Sequence, residues 1–311
     1  DLNPRRWECR IRRLICLLCL LSMVFALSCK GRKEVLRIGI ISPSVNHFPL
    51  SYAVHKGMID TDAIEIIGFS AGWELQEAII AGKIDSAIMP FTYAWNTAAK
   101  GYPIRIVSFF ERETDAIVVA DNIAKPEDLN GAKVGLIKAS TLDVFFIEWA
   151  QRNNIKFEPV YFRTPNEMIA ALQSGSVPAI VCYEPLIRKL VDKFQVLHWF
   201  GDDYPHHPCC DLVVNTDRLD KKRKAVLVKL LAALQKPVED VNLGDPEALA
   251  YMGKTYGLSH EQCVNTLSHT VFTIGLGWQG RDFERRMAEI SLQQGYIDRM
   301  LRDDDIYLIL E

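Results

Sequence analysis

The 311-residue chain is poor in the features that mark several large protein classes. Its 18 glycines are too few for a collagen-like protein, and its 8 cysteines are too widely spread for a disulfide-dense scaffold. Only one apolar run approaches spanning length, which excludes a polytopic membrane protein. No long Lys/Arg stripe appears, so there is no nucleic-acid footprint. Gly-x-Ser-x-Gly, Walker A and His-Glu-x-x-His signatures are all missing, and no catalytic centre emerges. What is present is a 49% hydrophobic, 24% charged composition, too apolar for a disordered chain. The length suggests about two domains.

The first 29 residues differ from the rest. Arg5, Arg6, Arg10, Arg12 and Arg13 precede an uncharged stretch, 14–29, of 16 residues. That is short of the ~20 needed to span a bilayer and reads as a secretory signal. Its end, Phe25-Ala-Leu-Ser-Cys29, resembles a bacterial lipobox, which would make Cys29 a diacylated amino terminus. Leu27 departs from the small residue usual there. An uncleaved anchor or an ordinary signal peptide is the alternative, and every reading places the body outside the cytoplasm. Without residues 1–29 the chain carries 31 basic and 37 acidic side chains, net −6 rather than −3, and keeps Cys182, Cys209, Cys210 and Cys263.

The body contains an internal duplication. Arg37-Ile-Gly-Ile-Ile-Ser-Pro-Ser44 parallels Lys133-Val-Gly-Leu-Ile-Lys-Ala-Ser140 at an offset of 96. Ala78-Ile-Ile-Ala-Gly-Lys-Ile84 parallels Ala171-Leu-Gln-Ser-Gly-Ser-Val177 at 93, and Ile117-Val-Val-Ala120 parallels Leu212-Val-Val-Asn215 at 95. Each unit reads as a buried strand, a loop, and an amphipathic helix closed by Gly82 or Gly175 in the left-handed conformation. A second strand follows at 84–89 or 177–182. Alternating strands and helices imply βαβ units, hence two α/β lobes with a cleft beyond the strand carboxyl ends. Helical periodicity is expected at 225–234, 246–256, 259–264 and 283–300. The matched strands at 117–119 and 212–214 are expected to join the lobes: 30–116 and 216–311 form the first, 117–215 the second. Hinge closure on a ligand is the mechanics this supports.

Here the residues reach a family. Glu77-Ala-Ile-Ile-Ala-Gly-Lys-Ile-Asp-Ser-Ala87, Gly101-Tyr-Pro-Ile-Arg-Ile-Val-Ser108, Asp128-Leu-Asn-Gly-Ala-Lys-Val-Gly135 and Ala170-Ala-Leu-Gln-Ser-Gly-Ser-Val-Pro-Ala-Ile-Val-Cys-Tyr-Glu-Pro185 are similar to segments of periplasmic solute-binding proteins. The likeness covers about 35–300 and points to the nitrate/sulfonate/taurine and thiamine-precursor (pyrimidine) binding group. Pro178 stands where that group usually has Asp. The resemblance implies the two-lobed type II periplasmic-binding fold and a monomeric binding protein, not an enzyme. It implies no cofactor or metal, and as partners a small anionic or planar heterocyclic ligand, an ABC permease and its ATPase. The membrane would be reached through the lipid at Cys29.

Candidate ligand residues lie at the strand ends. Ser42, Ser44, Asn46 and His47 follow the first strand, where hydroxyls and backbone N–H groups can meet a ligand at a helix N-terminus; an ordinary capped loop is the alternative. Ser70, Gly72 and Trp73 open the next helix. Lys138, Ser140 and Thr141 are the second-lobe counterpart, and Lys138 would meet an anion or simply face solvent. Pro90, Phe91, Tyr183 and Glu184 end the paired second strands; aromatics there can stack on a flat ligand, or pack in the core. Glu184 would pair with an amine or begin a helix, where acids suit the dipole. Pro205-His206-His207-Pro208-Cys209-Cys210 resembles a cleft-bordering segment, and His206 is placed in the site. A pyrimidine-forming or metal-dependent enzyme using His206, His207, Cys209 and Cys210 is the alternative. Against it, an extended segment points successive side chains to opposite sides, and the cysteine-rich iron motif of the eukaryotic pyrimidine synthases is absent.

Overall fold

In the computed structural model, residues 35–310 are described; residues 1–29, expected to be an export signal ending at Cys29, lie outside them. No helix among the described residues is long and apolar enough to cross a membrane.

The first unit begins with β1 (Leu36–Ile41), which leads to α1 (Phe48–His55), then β2 (Ile64–Phe69), α2 (Gly72–Ile80), β3 (Ser86–Pro90), α3 (Phe91–Ala99) and β4 (Ile104–Glu113). Strand β5 (Asp115–Val119), the last matched strand of the first unit, follows. Then come β6 (Lys133–Ile137), α4 (Thr141–Arg152), β7 (Glu158–Phe162), α5 (Pro165–Gln173), β8 (Ala179–Tyr183), β9 (Gln195–Trp199) and α6 (Phe200–Asp203). The chain finishes with β10 (Pro208–Asn215), α7 (Lys221–Asn242), α8 (Pro246–Tyr256), α9 (His260–Leu267), β11 (Thr270–Phe272), α10 (Trp278–Gln293) and α11 (Asp303–Ile306). The expected helical regions fall at α7 to α10, the last beginning and ending earlier than its periodicity suggested.

The two units build two mixed sheets, ordered β11-β4-β10-β3-β1-β2 and β7-β6-β8-β5-β9. β1 pairs in parallel with β2 and β3, as β6 does with β7 and β8. The glycine at the third matched position has a steric cause. A Cβ on Gly39 would sit 2.4 Å from Leu75 Cδ2 and 2.6 Å from Ile84 Cδ1; on Gly135 it would sit 3.0–3.1 Å from Ile180, Met168 and Phe162. In both units the helix can approach the sheet only where the strand lacks a side chain. The helix ends repeat too. Gly82 (φ +66°) and Gly175 (φ +74°) are left-handed, and each helix closes with paired 5→2 and 6→1 bonds: Gly82 N to Ile79 O and Lys83 N to Ala78 O, Gly175 N to Leu172 O and Ser176 N to Ala171 O.

The third matched pair differs from expectation. Residues 117–215 were assigned to the second unit, yet β10 lies in the first sheet, antiparallel to β3 and β4. All eight β10 residues are buried, so the strand needs neighbours on both edges. In the second sheet the equivalent slot, antiparallel to β8, is filled by β5. Each unit therefore sends its last matched strand into the other unit's sheet. The outward passage turns at Glu113 (φ 64°) and Thr114 (φ 81°), and the return lies between α6 and β10.

Candidate functional site

The carboxyl ends of β1, β3, β6 and β8 converge on a narrow, largely closed cavity of about 40 Å³. Ser44 and Asn46 enter it from the loop after β1, and Gly72 from the start of α2. Pro90 and Tyr93 come from the β3–α3 junction, Ser140 and Thr141 from the start of α4, and Tyr183 from the end of β8. Glu111, Thr114 and Asp115 come from the outward crossing, and Cys209 and Cys210 from the first turn of β10.

Several polar groups here are held by their neighbours. Ser140 caps α4, accepting from Asp143 N. Ser44 Oγ accepts from Asn46 N at 3.1 Å, and His47 Nδ1 lies 3.0 Å from Asn46 Oδ1. The Asn46 amide is thereby turned so that Nδ2 points to Cys210 Sγ at 3.4 Å. Thr141 Oγ1 lies 3.5 Å from Cys209 Sγ. The Tyr93 ring packs against Gly72, where a Cβ would sit 2.6 Å from it, and its hydroxyl donates to Lys138 O across the cleft at 3.1 Å.

The electrostatics of the cavity are one-sided. Among the described residues no Lys, Arg or His lines it, whereas Glu111 and Asp115 are both about 1% exposed. Among those residues, neither oxygen of Asp115, nor Glu111 Oε1, meets a donor other than the neighbouring thiols. Burial pushes Asp115 up to about 8, only partly offset by the Cys209 thiol. Burial also raises Glu111 well above the usual carboxylate range, helped by Cys210 and Asp115. Such groups in a cavity are more than packing, because an unpaired buried polar atom costs free energy that a ligand can restore.

Cys209 and Cys210 face the cavity together, against the expectation of alternation. The pairing with β4 runs Pro208↔Arg112 and then Cys210↔Glu111, so Cys209 is the extra residue of a bulge. The bulge puts both thiols on one side, where Glu111 Oε and the two Sγ atoms lie within 4.8 Å of one another.

Of the fifteen residues named from sequence, Ser44, Asn46, Gly72, Pro90, Ser140, Thr141 and Tyr183 line this cavity. The others sit elsewhere. Ser42 is exposed. His47 is buried behind Asn46. Ser70 binds Glu74 through its N and Oγ, both at 2.8 Å. Trp73 reaches over the cleft to donate Nε1–H to Arg163 O at 2.9 Å, with Arg163 stacked on its ring. Phe91 is core, packed between Phe145 and Phe283. Lys138 is exposed and lies over the Tyr161 ring. Glu184 is spent on Arg188 Nε at 2.7 Å. His206 is exposed beside Glu113, on a separate cavity of about 450 Å³ lined also by Arg112, Trp278 and Arg286.

Sequence reasoning missed Glu111, Thr114 and Asp115. An acid pair around the end of a strand reads as a solvated edge; the available signal was Glu111 directly after the apolar run 106–110.

The profile of the NMT1-like family matches residues 30–254, well over half of the chain. The chain belongs to the NMT1-like family. No curated protein matches it by sequence. Solved structures of similar shape include a ligand-binding component of an ABC-type import system from Staphylococcus aureus with zinc bound. It has 19% identity and a TM-score of 0.75, over 89% of this chain and 97% of that one. The alkanesulfonate-binding protein SsuA from Xanthomonas axonopodis pv. citri, bound to MOPS, has 17% identity and a TM-score of 0.77, over 88% and 98%. The nitrate-binding protein NrtA from Synechocystis PCC 6803 has 13% identity and a TM-score of 0.73, over 88% and 87%. This NMT1-like chain therefore has the fold of the periplasmic binding proteins, as its sequence led us to expect.

Proposed function

We propose that this chain is the solute-binding component of an ABC importer, exported and tethered through Cys29. It would capture one small solute between two lobes and present the closed form to a permease and its ATPase. The lobes are the two sheets with their helices, and the crossings at 113–114 and 204–207 are the hinge. The resemblance to import-system binding proteins supports the transport role.

The observation that carries the ligand class is the pair of buried acids, met by no donor but thiols, in a cavity that no cation lines among the described residues. With Glu111 and Asp115 held neutral by burial, an anion such as a sulfonate or nitrate would find no positive side chain among the described lining residues to pair with. A neutral or cationic solute with N–H donors restores their missing hydrogen bonds. Its acceptor edge would face the N-terminus of α4 at Ser140 and Thr141, and Tyr93 and Tyr183 suit a flat ring. The ligand read from this geometry is a small, planar, nitrogen-bearing solute, not an anion. A thermal-shift panel tests it: aminopyrimidines and other amino-heterocycles are expected to raise the melting temperature, and sulfonates and nitrate are not. Stabilisation by the anions alone would overturn this ligand class.

A further inference from the structure

Two thiols and a carboxylate meeting in a closed space form a donor set with its own chemistry. Cys209, Cys210 and Glu111 are each 4% exposed or less, and their ligand atoms lie within 4.8 Å of one another. Tetrahedral coordination with metal–sulfur bonds of about 2.3 Å separates the sulfurs by about 3.8 Å, so side-chain rotation of about 1 Å closes the set. Soft thiolates with one oxygen donor suit zinc and its thiophilic neighbours and do not suit magnesium or calcium.

The surroundings are arranged as an outer shell for such an ion. His47 holds the Asn46 amide so that its N–H faces Cys210 Sγ, and the Thr141 hydroxyl lies against Cys209 Sγ. The Asn46 N–H aimed at Cys210 Sγ favours a thiolate there. Among the described residues, Glu111 Oε1 and both oxygens of Asp115 meet no donor other than the neighbouring thiols, although they are fully buried. The bulge at Cys209 gives up regular pairing on a central strand, and its effect is to point both sulfurs into the cavity.

We propose that Cys209, Cys210 and Glu111 bind one thiophilic divalent cation at the floor of the cavity, with its fourth coordination position open to the bound solute or water. Binding forms two metal–sulfur bonds and one metal–oxygen bond, and the two thiol protons and the Glu111 carboxyl proton leave to solvent. The site shares the cavity of the function proposed above but does not depend on the transport role.

Zn²⁺ and Co²⁺ added to metal-stripped protein under a non-thiol reductant test the site. Equilibrium dialysis with elemental analysis is expected to give one Zn²⁺ per chain. Co²⁺ is expected to give intense visible bands of tetrahedral geometry and a near-ultraviolet thiolate charge-transfer band. Cys209→Ser, Cys210→Ser and Glu111→Gln are expected to weaken Zn²⁺ binding at least tenfold. Cys263→Ser, altering a buried cysteine on α9 that does not line the cavity, is expected to leave it unchanged. Cooperative melting of each variant without metal excludes unfolding as the cause of any loss. Sub-stoichiometric binding, or binding equal in wild type and the site variants, would overturn the proposal. Protein that binds no metal but is stabilised by an amino-heterocycle would refute this site alone and leave the solute-binding reading standing.

Discussion

Buried titratable residues around the cavity make its stability depend on pH in a direction that can be worked out residue by residue. His47 is 6% exposed, and burial lowers it from 6.5 to about 4. A depressed histidine contributes stability that is fully present above about 6.5 and is lost as pH falls through about 4. The shift corresponds to about 3 kcal/mol at most. His47→Gln keeps a donor for Asn46 but cannot titrate. Urea unfolding at pH 7 and pH 4.5 is expected to show wild type losing more stability than the variant over that interval; equal losses would contradict the burial argument. Glu184 has the opposite sign. Burial raises it to about 7 despite Arg188, so its contribution is present below about 4.5 and lost as pH rises through 7.

At the scale of elements, the duplication is a repeated packing solution. Gly39 and Gly135 occupy one position in two strands because a helix presses on each. Leu75 and Ile84 beneath Gly39 are fully buried and cannot swing aside into solvent. Gly39→Ala is therefore expected to cost about 1–3 kcal/mol. Gly135→Ala, with contacts of 3.0–3.1 Å, is expected to cost less. Midpoints of urea unfolding check both, and a harmless Gly39→Ala would remove the steric reason for the repeated glycine. The elements were legible in sequence because each signal is local: a glycine after a helix, an apolar run, a period of 3.6. The loops after β1 and β6 were legible as site loops for the same reason, and Ser44, Asn46, Ser140 and Thr141 do line the cavity. Not legible were features that depend on strand pairing. The bulge that turns Cys209 toward Cys210 exists only against β4, and the burial of Asp115 exists only once β5 lies between β8 and β9.

At the scale of the whole molecule, the exchange of strands decides where function sits. β5 and β10 each leave one unit for the other's sheet, so the two crossings run past the same cavity and deliver Glu111, Asp115, Cys209 and Cys210 to it. A two-lobed protein with successive domains would place no acid or thiol there. On the proposed hinge closure, the contacts Tyr93 to Lys138 and Trp73 to Arg163 would belong to the closed form, and a solute that binds it better than an open one would shift the population toward closure. The central claim is that this cavity holds one small solute that is not an anion, recognised by Glu111 and Asp115. Native mass spectrometry of protein recovered from cells without denaturation tests it most directly. The account predicts one nitrogen-bearing small molecule per chain, neutral or cationic, retained by wild type and absent from a cooperatively melting Glu111→Gln/Asp115→Asn double variant. A sulfonate, nitrate or other anion carried equally by both proteins would contradict it.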